Sequence, residues 1–201
     1  MFWKKSKITI EGLEQSVIKS EAELSFLHAK SDTYLSKLIL NSTKSNISVV
    51  EEHGKFLQKL SGFNFEDRWS FGSEITSLNE YIKLYSRVLP DNIYHKIEFD
   101  VDNHEKEIPV LILFPMVQNG LVNGYNTMEN YPLKVKLKAK DNHIVYEVSN
   151  RVNHHLTNQA DNKFISEFEN RLQYHFGEDF NLIINSNSNL FKVTLLLLKV
   201  K

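Results

Sequence analysis

The 201-residue sequence predicts an α+β fold, in which a helical hairpin precedes a two-layer sandwich of helices and strands. Up to about residue 89, apolar side chains recur at steps of three and four, which is typical of amphipathic helices. After Pro90 the pattern changes to an alternation of apolar and polar residues, which is typical of half-buried strands. Two further helical stretches lie between these strands, so the second part of the chain favours a mixed layer of both elements.

The first helical stretch covers about residues 11–41 and contains no proline. Its helical spacing predicts one continuous amphipathic helix. The cap-forming string NSTKSN at 41–46 ends this helix, and helical spacing resumes over 47–60 before Ser61-Gly62 stops it. Two helices joined in this way predict a hairpin, and such hairpins commonly pair into bundles. The apolar residues of the first helix are Leu13, Val17, Leu24, Leu27, Leu35 and Leu38.

The remaining elements follow in order along the chain. A third helix is predicted over 74–89, and Pro90 stops it. Pro115 is well placed to begin another helix, for which Gly124 is a natural C-cap. A last helix is predicted over about 161–176. The predicted strands are 93–102, 132–140, 144–150, 181–187 and 190–200.

Composition excludes several classes of function. Lys and Arg total 24 against 25 for Asp and Glu, so the chain lacks the basic surplus that a nucleic-acid binder shows. There is no cysteine, which excludes disulfides, thiolate metal sites and a cysteine nucleophile and fits a reducing cytoplasm. No apolar run approaches the roughly 20 residues that cross a bilayer. We therefore expect no nucleic-acid partner and no transmembrane segment in this chain.

The third helix and the string IPVLILFPMVQNGLVNG together match the spacing of a known family. The matching residues are Glu74, Leu78, Tyr81, Ile82, Leu84, Pro109, Leu111, Leu113, Pro115, Val117, Asn119 and Gly124. On these residues the chain resembles the LytS-type sensor histidine kinases over about residues 22–199. The resemblance implies a dimerising, phosphoacceptor-like hairpin at 1–64 and a Bergerat (GHKL) ATPase-like domain at 65–201. That domain is a two-layer α/β sandwich with a mixed, mainly antiparallel sheet.

The resemblance also implies ATP and magnesium as cofactors. In the family, the residue at Asn119 is a magnesium ligand that bridges the metal to the nucleotide phosphates, and magnesium usually takes one or two protein oxygens. Asn123 lies four residues later and shares a helix face with Asn119. The family's glutamate, a candidate general base, is Gln118 here, and an amide cannot accept a proton at neutral pH. We therefore expect that residue 118 cannot act as a general base.

The nucleotide-binding strings are changed as well. Where the family has Asp-Asn-Gly, with a carboxylate that accepts the adenine amino group, this chain has Ser149, Asn150 and Arg151. A second, glycine-rich string keeps its scaffold end at Arg171, which is predicted at the surface or in a salt bridge, but 163–166 lack the phosphate-binding glycines. The expectation is a vestigial site that either retains ATP and magnesium or holds no cofactor. Its residues are Asn119, Asn123, Ser149 and Asn150, with Asn119 as the magnesium ligand.

The phosphoacceptor string is altered in the same way. The family's acceptor histidine falls on Tyr34 within LHAKSDTYLSKLILN, at 27–41. His28 lies six residues earlier and therefore on another side of a continuous helix. No catalytic residue is predicted.

Three functions stay open at this point. The first is a pseudokinase of a two-component system, which acts by dimerisation and partner binding. The second is an active or ATP-binding sensor histidine kinase with diverged motifs, and the third is a structural dimer module without nucleotide. The resemblance implies a homodimer, or a heterodimer with a related kinase, and a response regulator as a further partner. It also implies a cytoplasmic location, at the inner face of the membrane if an upstream sensor has been removed.

Overall fold

The computed structural model describes residues 2–41, 47–89, 92–153 and 162–198. Within these ranges, no helix combines the length and the apolar character needed to span a bilayer. The helices are α1 (Phe2–Lys30), α2 (Thr33–Asn41), α3 (Ile47–Ser61), α4 (Phe71–Val88), α5 (Phe114–Asn123) and α6 (Asn162–Phe176). The strands are β1 (Arg68–Ser70), β2 (His95–Val101), β3 (Glu107–Pro109), β4 (Leu133–Lys140), β5 (His143–Arg151), β6 (Phe180–Ser186) and β7 (Leu190–Leu198).

Five of the strands form one mixed sheet in the order β2-β4-β5-β7-β6. The β2–β4 pair is parallel and the other three pairs are antiparallel. Strands β1 and β3 form a separate antiparallel pair next to the helices. The predicted α+β class, with a mixed and mainly antiparallel sheet, is confirmed.

The alternation of apolar and polar residues along the strands determines which face of the sheet is buried. In β4, Leu133, Val135 and Leu137 are buried while the lysines between them are exposed. Helices α5 and α6 pack on the buried face, and Tyr146 of β5 donates a hydrogen bond to the carbonyl of Leu113 at the start of α5, at 3.0 Å. One face of the sheet therefore forms the core with the helices, and the other faces solvent.

The predicted continuous helix over 11–41 is wrong, because the chain breaks between α1 and α2. Oδ1 of Asp32 accepts hydrogen bonds from the backbone N–H groups of Tyr34 and Leu35, each at 2.9 Å, and so caps α2. Its Oδ2 accepts from the hydroxyls of Tyr81 and Tyr85 in α4, each at 2.5 Å. The break is therefore held by a contact with a distant helix.

Helix α1 presents two different faces. Ala22, Phe26 and Ala29 are buried, and α1 packs along α6. On the opposite side, apolar side chains of α1 are exposed. Helices α2 and α3 pack on each other and on α4. The string at 42–46, Pro90 and the pair His154-His155 lie outside the described residues.

Candidate functional site

Helix α5 is positioned closely against the sheet. Pro115 lies in its first turn, and the N–H of Gly124 at its C-cap donates to the carbonyl of Gly120 at 3.1 Å, as predicted. A Cβ atom at Gly120 would lie 2.7 Å from Cδ1 of Leu133 in β4. Glycine at this position therefore lets helix α5 approach strand β4 closely.

A cluster of four amides surrounds the C-terminal half of α5. Nδ2 of Asn123 donates to Oδ1 of Asn119 at 2.7 Å, so these residues share a face as expected. Nδ2 of Asn126 donates to the carbonyl of Gly120 at 2.7 Å. A Cβ atom at Gly124 would lie 2.8 Å from Nδ2 of Asn150, which places that side chain against the same helix end. We call Asn119, Asn123, Asn126 and Asn150 the amide cluster.

Ser149 lies apart from the amide cluster. Neighbouring residues of a strand point to opposite faces, and in β5 Asn150 is on the buried face with Tyr146 and Val148. Ser149 is on the solvent face, where Lys134 and Lys192 are its partners on the adjacent strands. The structure thus brings together three of the four predicted nucleotide-site residues and leaves out Ser149.

Gln118, at the base-like position, makes structural contacts. Its Nε2 donates to the carbonyls of His28 at 3.2 Å and Ala29 at 3.4 Å, at the end of α1. Its side chain is buried, and Oε1 has no hydrogen-bond partner within the described part of the chain. The side chain of Gln118 therefore ties α5 to α1.

Tyr34 and His28 lie on different helices and in different surroundings. The ring of Tyr34 stacks on Tyr85 of α4 with centroids 6.4 Å apart, and 43% of the residue is exposed. Nδ1 of His28 is 2.9 Å from Oε2 of Glu167 in α6. The acceptor-like tyrosine therefore belongs to the α2–α4 contact, and the nearest histidine in sequence belongs to the α1–α6 contact.

A buried carboxylate shapes the segment that leads into α5. Oε2 of Glu74 accepts from the N–H of Leu111 at 2.8 Å and from Nε1 of Trp69 at 2.5 Å, and Oε1 accepts from the N–H of Leu113 at 2.7 Å. Leu111 has a positive φ of 61°, which is unfavourable for a side chain with a Cβ. These hydrogen bonds hold the strained turn in place.

Arg171 supports the same turn from α6. Its Nη1 donates to the carbonyl of Leu111 at 3.1 Å and its Nη2 donates to that of Val110. The prediction of a surface or ion-paired arginine is wrong, because Arg171 is completely buried and binds backbone carbonyls. Burial raises the pKa of Glu74 to about 7, against the effect of its N–H donors, and lowers the pKa of Arg171 to about 10.

Protonation of His175 at acidic pH is expected to lower the free energy of unfolding. Burial beside Phe65, with Arg171 nearby, lowers the pKa of His175 to about 4 from an ordinary value of 6.5. The contribution of neutral His175 to the free energy of unfolding is therefore complete above pH 6.5. It is lost as the pH falls from 6.5 towards 4. We expect the wild type to lose about 3 kcal/mol more unfolding free energy than His175→Phe over this range.

Urea titrations of both proteins across that pH range measure the difference directly. Glu74 has a raised pKa and acts in the opposite direction, but it is present in both proteins and cancels in the comparison. Parallel pH profiles for the two proteins would show that His175 is not buried in its neutral form.

The donor set around α5 offers a magnesium–nucleotide complex no charged ligand. The amide cluster contains no carboxylate, and Oδ1 of Asn119 already accepts a hydrogen bond from Asn123. Among the described residues there is no group of three or more His, Cys, Asp or Glu side chains that could hold a metal. Ser149, the expected adenine acceptor, faces the other side of the sheet.

The sequence did not identify Asp32, Glu74 and Asn126 as residues that hold the helices and turns around α5 and α2 in place. Asp32 carries a local signal, because aspartate is a preferred N-cap and a helix begins directly after it. Glu74 was identified only as a match to the helix pattern. Nothing in the sequence marks the burial of Asn126, which depends on how the segment after Gly124 folds back on α5.

No protein-family model matches the sequence, and no curated protein matches it significantly. Three solved structures with similarity to the chain are histidine kinase domains. A nucleotide-free catalytic domain of histidine kinase ThkA is 14% identical with a TM-score of 0.45, covering 66% of this chain and 95% of that one. Acinetobacter baumannii histidine kinase AdeS is 9% identical with a TM-score of 0.48, covering 94% and 98%.

The third is the histidine kinase domain of the blue-light activated histidine kinase from Erythrobacter litoralis EL346. It is 11% identical with a TM-score of 0.47, covering 88% of this chain and 93% of that one. At these identities the similarity concerns the arrangement of helices and sheet.

Proposed function

We propose that the chain is a histidine-kinase-like protein of two-component signalling that has lost phosphotransfer and acts by self-association and partner binding. In this proposal, residues 1–64 form the dimerising part and residues 65–201 the kinase-like part of a cytoplasmic protein. The partners are a second copy or a related kinase, and a response regulator.

The observation that carries the proposal is the role of Gln118. A general base needs a side chain that can take up a proton and is free to approach the reacting group. The amide of Gln118 cannot take up a proton, and its Nε2 is engaged by two carbonyls at the end of α1. A side chain fixed in this way supports the structure and is unavailable for proton transfer.

The surroundings of positions 34 and 119 agree with this reading. Tyr34, at the acceptor-like position, stacks on α4, and Asn119, which matches the family, accepts a hydrogen bond inside the amide cluster. These contacts do not require a nucleotide, so the domain can fold without binding ATP or transferring phosphate. They favour the pseudokinase over an active kinase with diverged motifs.

Incubating the purified chain with γ-labelled ATP and magnesium tests the loss of phosphotransfer. We expect no acid-labile label on the chain, in the absence or presence of a mixture of response regulators. Label that arrives on a histidine, and is lost when that histidine is replaced by alanine, would overturn the proposal.

Self-association is supported by an exposed apolar stripe on α1. The stripe has the a and d spacing of a heptad repeat, which is the spacing of helices that pair along a seam. It lies opposite the face that packs on α6, so folding of the chain leaves it uncovered. The stripe residues, with exposures of 40–62%, are Ile10, Leu13, Val17, Leu24 and Leu27.

Leu13→Glu should weaken self-association, because it places a charge within the stripe. We expect the molar mass measured by light scattering to fall from that of a dimer towards that of a monomer at the same concentration. Gln15→Glu is the matched control, since it adds the same charge to an exposed position of α1 outside the stripe. Equal masses for the wild type and Leu13→Glu would contradict the role of the stripe.

A further inference from the structure

The solvent face of the sheet carries an arrangement that the proposed function does not use. In the described part of the chain the helices cover the other face, and alternate residues of every strand in the sheet are open to solvent. Cations and anions are not mixed evenly on this face. Their positions follow from the strand register.

One row across the sheet contains cations and no acid. In the strand register, Lys96 of β2 lies beside Lys134 of β4. Lys134 lies beside Ser149 of β5, and Ser149 lies beside Lys192 of β7. Adjacent strands are about 4.8 Å apart, so this row spans roughly 14 Å. Arg151 lies two residues beyond Ser149 on the same face of β5. We call Lys96, Lys134, Ser149, Arg151 and Lys192 the basic band.

Arg151 is held in place by aromatic rings. Its guanidinium carbon lies 4.9 Å from the ring centroid of Tyr131 and 5.7 Å from that of Tyr125. Both tyrosines are exposed, at 51% and 39%. A guanidinium stacked in this way is pre-organised, so it loses less conformational entropy when it binds an anion.

The charges of the basic band are only partly balanced. Within the described ranges, Lys134 and Arg151 form no salt bridge with a carboxylate. Lys96 pairs with Glu98 at 2.9 Å and Lys192 pairs with Glu147, but these are exposed or half-exposed pairs. Such surface pairs contribute little stability, so carboxylates from another molecule can replace them at low cost.

We infer that the basic band is a docking surface for an acidic segment of a partner protein. Arginine and tyrosine are residues that protein interfaces favour, and here both lie at one end of a cationic row. A nucleic acid is a poorer fit, because the row spans only roughly 14 Å and the chain carries a net charge of -1, without the basic surplus of a nucleic-acid binder. The inference depends on residues of the sheet and on the two tyrosines beside Arg151. It goes beyond the loss of phosphotransfer proposed for α5.

A synthetic peptide of alternating glutamate and serine is the probe, with a glutamine-for-glutamate peptide as its control. We expect the full chain to bind the glutamate peptide at low salt, measured by fluorescence anisotropy, and not the glutamine peptide. The double variant Lys134→Gln and Arg151→Gln should weaken binding by about tenfold or more. Ser149→Asp, which puts a negative charge inside the band, should weaken it similarly.

Lys138→Gln is the matched control variant. Like Lys134→Gln, it removes one positive charge from the same face of β4, but outside the basic band, and Lys138 forms no salt bridge among the described residues. We expect its affinity to stay within about twofold of the wild type. Equal losses for Lys138→Gln and the double variant would overturn the inference, as would tight binding of the glutamine peptide. Stronger binding of inorganic phosphate or a short oligonucleotide than of the peptide would also overturn it.

Discussion

Glu74→Gln should lower the free energy of unfolding by about 3 kcal/mol. The carboxylate accepts three N–H donors with two oxygens, from Trp69, Leu111 and Leu113. Glutamine offers one oxygen and turns an NH₂ group towards donors, so at least one buried N–H loses its acceptor. The buried guanidinium of Arg171 also loses a nearby negative charge. Urea denaturation at a pH about two units above the pKa of Glu74, where its carboxyl group is ionised, measures the loss.

Glu80→Gln is the matched control for this prediction. Glu80 lies on the same helix α4, but it is half-exposed, and among the described residues its ion pair is with the exposed Lys59, at 2.9 Å. Its replacement should cost under about 1 kcal/mol. Similar losses for the two variants would show that Glu74 does not hold the turn before α5.

The second large effect is expected for Asp32→Ala, which should cost about 2–4 kcal/mol. The substitution removes the acceptor of two tyrosine hydroxyls, one of them on the fully buried Tyr81, and of two N–H groups at the start of α2. The sequence around the break has helical spacing, so the variant should also gain helix across positions 31 and 32. Hydrogen exchange of the Tyr34 and Leu35 amides, together with urea denaturation, measures both changes.

Tyr85→Phe gives a graded comparison for Asp32→Ala. It removes one of the four hydrogen bonds and leaves the cap of α2 intact, so about 1 kcal/mol is expected. If Asp32→Ala cost no more than Tyr85→Phe and left the exchange of both amides unchanged, the break between α1 and α2 would have another cause.

Local patterns were sufficient to predict most of the fold. The strands after Pro90, the helix that begins with Pro115 and the cap at Gly124 follow from alternation, fixed φ and helix termination. The turn between β4 and β5 is also local, since Asp141 takes the left-handed φ of 49° that aspartate tolerates. In each case, the residues that determine the structure lie within a few positions of one another.

Features that depend on distant residues were not predicted. Asp32 breaks the first helix through tyrosines that lie 49 and 53 positions later in the chain. The burial of Arg171 depends on backbone carbonyls 60 and 61 positions earlier. The face of Ser149 is a different case, because Ile144, Tyr146 and Val148 already indicate that the even positions of β5 are buried. That periodicity in the sequence was sufficient to place Asn150, rather than Ser149, beside α5.

Thermal unfolding of the chain with and without magnesium–ATP tests most directly whether the site at α5 has lost its cofactor. A ligand at about 100 times its Kd stabilises the state it binds by about 2.7 kcal/mol. Because the oxygen of Asn119 is used by Asn123 and the amide cluster has no carboxylate, the account predicts identical curves with and without the nucleotide. A magnesium-dependent stabilisation of that size, abolished by Asn119→Ala, would contradict it.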